Sequence, residues 1–409
     1  MSLKIVIVHN YYQQAGGEDR VVALESELLC KHGHQVIPYL VHNQQINSLW
    51  HKLRLMLDCI FSIQQYRRFR RFLAQEQPDV VHVHNYFPLL SPAIFYAAKH
   101  AGIAVVHSLH NFRAICPSAT LFDGTQVNMQ SISHSPFWAV RNKIYRQSYL
   151  GTLLVYLMVT LHRRVGTWQH QVDQFICLSA SSRQLYLAAG WPTDKLAVKP
   201  NFIASVVQTA EVANFQADLN DEKTIANVKG GVLFVGRLAA EKGVPFLLQA
   251  WSQLEMPLYL VGTGPLQTQV AQAATQHRQI RPLGEQSPLG VQALMQQAAL
   301  LVVPSLCIET FGLVVLEAFR QKLPVLVADH GALADLVQHG INGWVFKPAD
   351  AQDFVAQVKL LMQDPALRRQ LAEAGWRTVQ TYYQPEQNYP QLLAIYQQAM
   401  DSARSRKPH

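Results

Sequence analysis

Residues 300–320 read LLVVPSLCIETFGLVVLEAFR. Four apolar residues, 300–303, are stopped by Pro304, a polar loop follows, and from Gly312 onward apolar side chains recur at helical spacing. The stretch therefore reads as strand, loop and helix. That order places Glu309 in the loop and Glu317, eight residues later, in the second turn of the helix. Loop amides and a helix N-terminus together favour anions, and Phe311-Gly312 lets the backbone come close to a phosphate. Glu317 is embedded in LVVLEAF rather than in a charged face, a setting that suits a carboxylate accepting hydrogen bonds from a pair of ribose hydroxyls.

The same alternation extends in both directions. Upstream lie GVLFVG, a helix over VPFLLQAWSQL, PLYLVG, a helix over PLQTQVAQAATQ, IRPLG and the helix VQALMQQA. Downstream lie PVLVAD, a helix over ALADLVQHG, WVF, and helices over DAQDFVAQVKLLMQ and PALRRQLAEAG. The first half repeats the pattern: KIVIV, a helix over VVALESELLCKHG, QVIPYL, a basic helix from Leu49 to Leu73, PDVVHVHN, a helix over SPAIFYAAKHAG, and IAVVHSLHN. Helical residues from Ala139 to about His170 lead to DQFICLS and a helix over SSRQLYLAAG. Val- and Ile-rich strands alternating with helices predict parallel sheets covered on both faces. The expected fold class is thus α/β, two doubly wound Rossmann-like units in tandem, with ligands at the carboxyl ends of strands in a cleft between them. We place the first domain at 1–203, a polar connection at 204–230, the second domain at 231–384, a C-terminal helix at about 385–401 that packs back on the first domain, and a disordered tail at 402–409.

Composition narrows the class. The 409 residues are 49% hydrophobic and 15% charged, which excludes a disordered chain. Five single cysteines without a CxxC pair fit reduced thiols in a cytoplasmic compartment. No basic and apolar leader precedes Ile5, so the chain is expected to stay inside the cell. The longest greasy run, Tyr149 to Leu161, is short of the roughly 20 residues needed to cross a bilayer. Residues 1–200 hold 19 Lys and Arg against 10 Asp and Glu, whereas residues 201–409 hold 16 against 17. The basic excess of the first half suits anionic lipid or a phosphorylated substrate; no nucleic-acid recognition module accompanies it.

Further chemistry gathers at predicted strand ends. GRLAAEKG ends a strand at Gly236-Arg237 and brings Lys242 five residues later, two cations able to clamp a diphosphate. The next strand ends in Gly262-Thr263-Gly264, and Gly16-Gly17 follow the first strand, both allowing close approach of a ligand to backbone. His107 and His110 lie at or beyond a strand end. His82 and His84 alternate along one strand face, but without a third ligand of fitting spacing they read as burial or cleft lining rather than metal ligands. The chain has no HExxH and no Asp-x-Asp.

Taken together, Glu309 to Glu317, GRLAAEKG and LVGTGP resemble, in order and spacing, the retaining GT-B glycosyltransferases of family 4, the glycosyl transferases group 1. KIVIVH with its Gly-Gly loop, PDVVHVHN, VVHSLHNFR, FICLSASSR and VKPNFI resemble the acceptor domain of such enzymes. LVVPSLCIETFGLVVLEA, PVLVAD and GINGWVF resemble the donor domain. The resemblance implies that Arg237 and Lys242 hold the donor pyrophosphate and that Glu309 meets the sugar hydroxyls. It further implies that Thr310, Phe311, Gly312 and Leu313 line the donor with Gly236, Gly262 and Gly264, that Glu317 binds the ribose, that His110 contacts the transferring sugar, and that Gly16-Gly17 lie between donor and acceptor. The implied co-substrate is a UDP- or GDP-linked sugar, with no cofactor and no metal. The implied acceptor is a glycan or lipid-linked sugar in cell-envelope or exopolysaccharide synthesis. The family's NFR…CP stretch is often followed by DG and a cysteine pair; here Asp123-Gly124 is followed by TQVNMQSISH, so the acceptor analogy does not extend there. The other readings of this fold are an epimerase, a phosphorylase or an inactive binding scaffold. Amphipathic Leu49–Leu73, with Trp50, Leu53, Leu57, Ile60 and Phe61 ahead of Arg67, Arg68, Arg70 and Arg71, and the greasy run between Arg141, Lys143, Arg146 and Arg163, Arg164, add an anionic membrane surface as an expected partner.

Overall fold

The computed structural model describes residues 2–11, 16–42, 57–203 and 228–406. The chain divides into two compact units, one of Met1–Asp123, Asn128–Asn201 and Pro385–His409, the other of Gly124–Val127 and Phe202–Gln384. The polar connection expected over 204–230 falls outside the described residues as far as 227, as do Trp50 and Leu53.

The first unit is a six-stranded sheet built from β1 (Lys4–Tyr11), β2 (Gln35–His42), β3 (Val80–Val83), β4 (Ala104–Leu109), β5 (Gln174–Cys177) and β6 (Leu196–Val198), in the order β2-β1-β3-β4-β5-β6. Every pairing is parallel. The apolar runs IVIV and VV are fully buried because helices cover both faces of the sheet. The second unit holds β7 (Val232–Val235), β8 (Leu258–Val261), β9 (Ile280–Gly284), β10 (Leu300–Val303), β11 (Val325–Ala328) and β12 (Trp344–Phe346), ordered β12-β11-β10-β7-β8-β9 and again all parallel. Its core joins Trp251, Phe346 and Phe354 to the strand interiors. Both sheets are doubly wound and Rossmann-like, as expected from the alternation, and agree with the GT-B class that the resemblance implied. The order reverses between β1 and β3 in one sheet and between β7 and β10 in the other, and those are the points where strand-end loops separate and leave room for a ligand.

Three expectations are corrected. Leu49–Leu73 is not one helix: Ser62 is extended, and its hydroxyl accepts from Gln65 N, capping a new helix, Ile63–Glu76. The turn before it is fixed by the His162 Nε2 donor on Ile60 O at 2.8 Å. The helical reading from Ala139 to His170 breaks at Lys143, Arg146 and Gln147, all at positive φ, and restarts at Tyr149–Arg164 with Ser148 accepting from Gly151 N. The tail from 402 is ordered through 406. The helix Pro385–Arg404 continues with Ala403 buried, and Arg406 pairs with Asp173, which also holds Lys99 at 2.9 Å. Burial nevertheless pushes the Asp173 carboxyl up to about 6.

The helix Pro385–Arg404 belongs to the first unit. Tyr396, fully buried on it, reaches His82 Nδ1 at 2.8 Å, and Tyr389 stacks on His32 with ring centres 3.7 Å apart.

Candidate active site

In the second unit the loops after β7 and β10 leave side by side at the switch point. Gly243 sits at φ +76°, and a Cβ there would collide with the Pro304 carbonyl, so only glycine allows the two loops to close up. Leu306 N and Cys307 N then bond to Glu241 O at 2.9 and 3.2 Å. This seam carries Lys242 Nζ to 2.6 Å from Glu309 Oε1, where Ser305 Oγ also donates at 2.6 Å. His330 Nε2 donates to Ser305 O, and Ala332 N to Glu309 O, so the loop is held from β11's side as well.

Burial opposes both charges of this pair and is overcome by their mutual attraction. The Lys242 ammonium is held above its ordinary range despite burial, by Glu309 first and then by Cys307 and Glu241. The Glu309 carboxyl is held below its range despite burial, by Lys242 and the Ser305 hydroxyl. A carboxylate and an ammonium thus stand charged at a strand edge beside a helix N-terminus. Arg237, its side chain 52% exposed, pairs with Glu241 in the same turn. Gly236, Gly262 and Gly264 form the adjoining edge: Gly236 N bonds Val261 O and Leu238 N bonds Thr263 O, and a Cβ on Gly262, at φ +129°, would strike the Gly236 carbonyl. Phe311 and Gly312 are buried, with Gly312 opening the helix Leu313–Arg320; Thr310 in the loop before it and Leu313 and Glu317 along it are half-buried.

In the first unit Gly16 and Gly17 are exposed at the start of the helix Gly17–Lys31. Asp19 Oδ2 accepts from Gly16 N at 2.9 Å and Oδ1 from His9 Nε2 at 2.7 Å. Beside them the Glu18 carboxyl is pushed up to about 8 by burial, with Asp19 adding to the rise and a hydrogen bond to Asn111 opposing it. Half-buried His110 follows β4, and its Nε2 lies 2.9 Å from His84 Nδ1. His82 lies in β3 as expected and His84 directly follows the strand, and burial holds His82 at about 3. His107 Nδ1 donates to Val83 O.

The structure brings to His82 and His84 a third group that spacing did not offer, Glu25, whose carboxylate is held by Lys199 at 2.6 Å. Glu25 had a sequence signal, since it occupies the apolar stripe Val21, Val22, Leu28, Leu29 of its helix, where a carboxylate needs a buried partner. Lys199, His330 and Glu18 carried none, because each acquires its partner from a remote element, and Ser305 carried none although its partner Glu309 lies four residues on in the same loop.

Residues 15–205 match the family model described as Glycosyltransferase Family 4, and residues 216–378 match that described as Glycosyl transferases group 1. Among curated proteins, the chain is 24% identical to a lipopolysaccharide 1,2-N-acetylglucosaminetransferase of Salmonella typhimurium over 59% of this chain and 66% of that one. It is 27% identical to an alpha-D-kanosaminyltransferase of Streptomyces kanamyceticus over 41% and 45%. The chain spans half or less of the length of the first curated relatives that it matches. Among solved structures, the Anabaena protein HepE in complex with UDP-glucose superposes with a TM-score of 0.62 at 16% identity, covering 98% of this chain and all of that one. A sucrose-phosphate synthase from Thermosynechococcus elongatus superposes with 0.68 at 18% identity over 98% of this chain and all of that one.

Proposed function

Since the chain belongs to the GT-B glycosyltransferases, we propose that it moves a sugar from a UDP- or GDP-linked donor to a glycan or lipid-linked acceptor with retention of anomeric configuration. The observation that carries this reading is the charged Lys242–Glu309 pair at the β7/β10 switch point, next to Arg237 and the helix opened by Gly312. In this reading Arg237 and Lys242 take the donor diphosphate, the Phe311 and Gly312 amides approach its oxygens, and Glu317 takes the ribose hydroxyls. Glu309, oriented by Ser305, accepts from the sugar hydroxyls, and His110 contacts the transferring sugar. Thr310 and Leu313 complete the donor lining.

The chemistry is a displacement at the anomeric carbon. The bond to the diphosphate oxygen breaks, the acceptor oxygen bonds to the same face, and the acceptor proton passes to the departing phosphate. Charge grows on the β-phosphate, and Arg237, Lys242 and the helix N-terminus are fixed where that charge develops. With two cations in that place and no Asp-x-Asp in the chain, transfer proceeds without a divalent ion.

The acceptor side rests on a second observation. On the helix Tyr149–Arg164 one apolar face, Leu154, Val155, Met158 and Val159, is buried, while Leu150, Leu153, Leu157 and Leu161 form an exposed stripe. Arg141, Arg146 and Arg164 stand exposed around it, and Lys143 lies over the Tyr149 ring. An apolar stripe rimmed by cations fits an anionic lipid surface, so we assign the acceptor to the lipid-linked class, met at the cytoplasmic membrane face. No described helix is long and apolar enough to cross a membrane.

Calorimetric titration with UDP-glucose and GDP-mannose tests the donor site, and proton NMR of the transferred glycoside tests retention. Saturable binding of one donor and a product with the donor's anomeric configuration are expected. Binding of neither, or an inverted product, overturns the reading.

A further inference from the structure

Behind His110 a file of polar groups runs through the core of the first unit. Lys199 Nζ, fully buried, is 2.6 Å from Glu25 Oε1 and 2.9 Å from Asn388 Oδ1. The other oxygen, Glu25 Oε2, faces His84 Nε2 at 3.4 Å, an ion-pair distance, and neither atom has a hydrogen-bond partner among the described residues. His84 Nδ1 in turn meets His110 Nε2 at 2.9 Å. No element of the proposed reaction uses Glu25, His84 or Lys199.

Hydrogen-bond polarity can be followed along this file. Lys199 keeps Glu25 a carboxylate, which only accepts. A lone pair on His84 Nε2 would face that carboxylate in a buried site, so the proton of His84 sits on Nε2 and its Nδ1 accepts. The proton between the two imidazoles must then come from His110 Nε2, which leaves the lone pair of His110 on Nδ1.

We propose that Lys199, Glu25 and His84 are positioning residues that fix His110 as the neutral Nε2–H tautomer, with Nδ1 as a hydrogen-bond acceptor for a hydroxyl of the transferring sugar. The functional half of this inference rests on the reading of His110 given above; the tautomer itself does not.

The surroundings agree from every side. Both rings are held well below the ordinary histidine range by burial first, His110 then by His9 on β1, His107 on β4, His82 on β3 and Lys199 after β6, and His84 then by His82, His110, His9 and Lys199. Asp19 engages His9, and Tyr396 and Ser108 occupy both nitrogens of His82 at 2.8 Å each. Those last two bonds also argue against a metal centre. Glu25, His82 and His84 do bring three ligand atoms within 4.8 Å of one another, but His82 is committed and an ammonium already neutralises Glu25.

The test is two-bond ¹⁵N–¹H correlation on the intact protein labelled at histidine, with His84→Gln and His110→Gln assigning the signals. In the wild type both rings should show the Nε2–H pattern, with or without UDP. His84→Gln places an amide donor where His84 Nε2 stood, so Glu25 stays satisfied, while the acceptor toward His110 is lost. His110 should then become a mixture of tautomers, and kcat should fall by roughly tenfold or more, the scale of one hydrogen bond, with the UDP dissociation constant unchanged. A wild-type His110 that is charged or carries its proton on Nδ1 overturns the proposal. So does an unchanged His110 pattern in His84→Gln, or one equivalent of zinc recovered with the protein and lost in that variant. If the tautomers are as stated but no nucleotide sugar binds, the reading of the function fails and the file remains.

Discussion

Lys242 and Glu309 stand 67 residues apart in the chain, yet the Lys242 ammonium and a Glu309 carboxylate oxygen are 2.6 Å apart, and the same oxygen accepts from Ser305. Two adjacent parallel strands, β7 and β10, deliver the loops that carry them.

Arg237 and Lys242 therefore part company on substitution. Arg237→Ala, Lys242→Ala and Glu309→Gln should each reduce turnover by about 10²–10³. Arg237 is half exposed, and its loss should leave the thermal midpoint nearly unchanged. Lys242→Ala strands a half-buried carboxylate and should cost about 1–3 kcal/mol of stability. Transfer assays and thermal melts on the three variants check both statements; turnover above half the wild-type value in all three would remove these residues from the site.

Glu317→Ala should raise the dissociation constant of UDP at least severalfold, because a hydrogen bond to a charged group contributes about 1.5–3 kcal/mol. An unchanged value by calorimetry excludes the ribose role.

Two glycines make opposite predictions. Gly243→Ala drives a methyl into the Pro304 carbonyl and forces φ +76° on alanine, so it should separate the seam that brings Lys242 to Glu309 and destabilise the protein by more than about 3 kcal/mol. At Gly16 φ is −134° and an added Cβ meets nothing within 4 Å. Gly16→Ala should fold normally, and if the Gly16-Gly17 loop touches substrate it should raise KM alone. Denaturation midpoints and steady-state kinetics separate the two.

Stability should fall on the acid side through buried histidines. Burial, helped by Lys199, brings His82 to about 3, and burial brings His107 to about 4 against the Val83 hydrogen bond that opposes it. The unfolded rings titrate near 6.5, so between there and about 3–4 the unfolded chain binds more protons. Stability is full above about pH 6.5 and is lost as pH falls, by about 1.4 kcal/mol per pH unit for each ring. Guanidinium midpoints should stay level from about pH 7.5 to about pH 6.5 and drop steadily from there to about pH 4.5, and His107→Asn, which can keep a donor toward Val83 O, should flatten that slope.

Leu153→Glu with Leu157→Glu should abolish co-flotation with vesicles of phosphatidylglycerol while leaving transfer to a water-soluble acceptor intact. Both residues are exposed, so the fold should not change. Equal flotation of wild type and double variant would remove the lipid surface as a partner.

The sequence alone determined every strand except the short edge strand β6, most helices and the loop-helix carrying Glu309 and Glu317, because each depends on apolar periodicity and breakers within some twenty residues. It misread Leu49–Leu73 and Ala139–His170 as continuous helices. Their apolar spacing is uninterrupted, and the breaks are made by a Ser62 cap, with the turn before it held by His162 on Ile60 O, and by positive φ at Lys143, Arg146 and Gln147, which periodicity does not register. The pairing of Lys242 with Glu309, and the file from Lys199 through Glu25 and His84 to His110, were settled only by tertiary structure. Parallel sheets join strands distant in sequence, and a buried charge shows its partner only when the strand order that brings the two together is known.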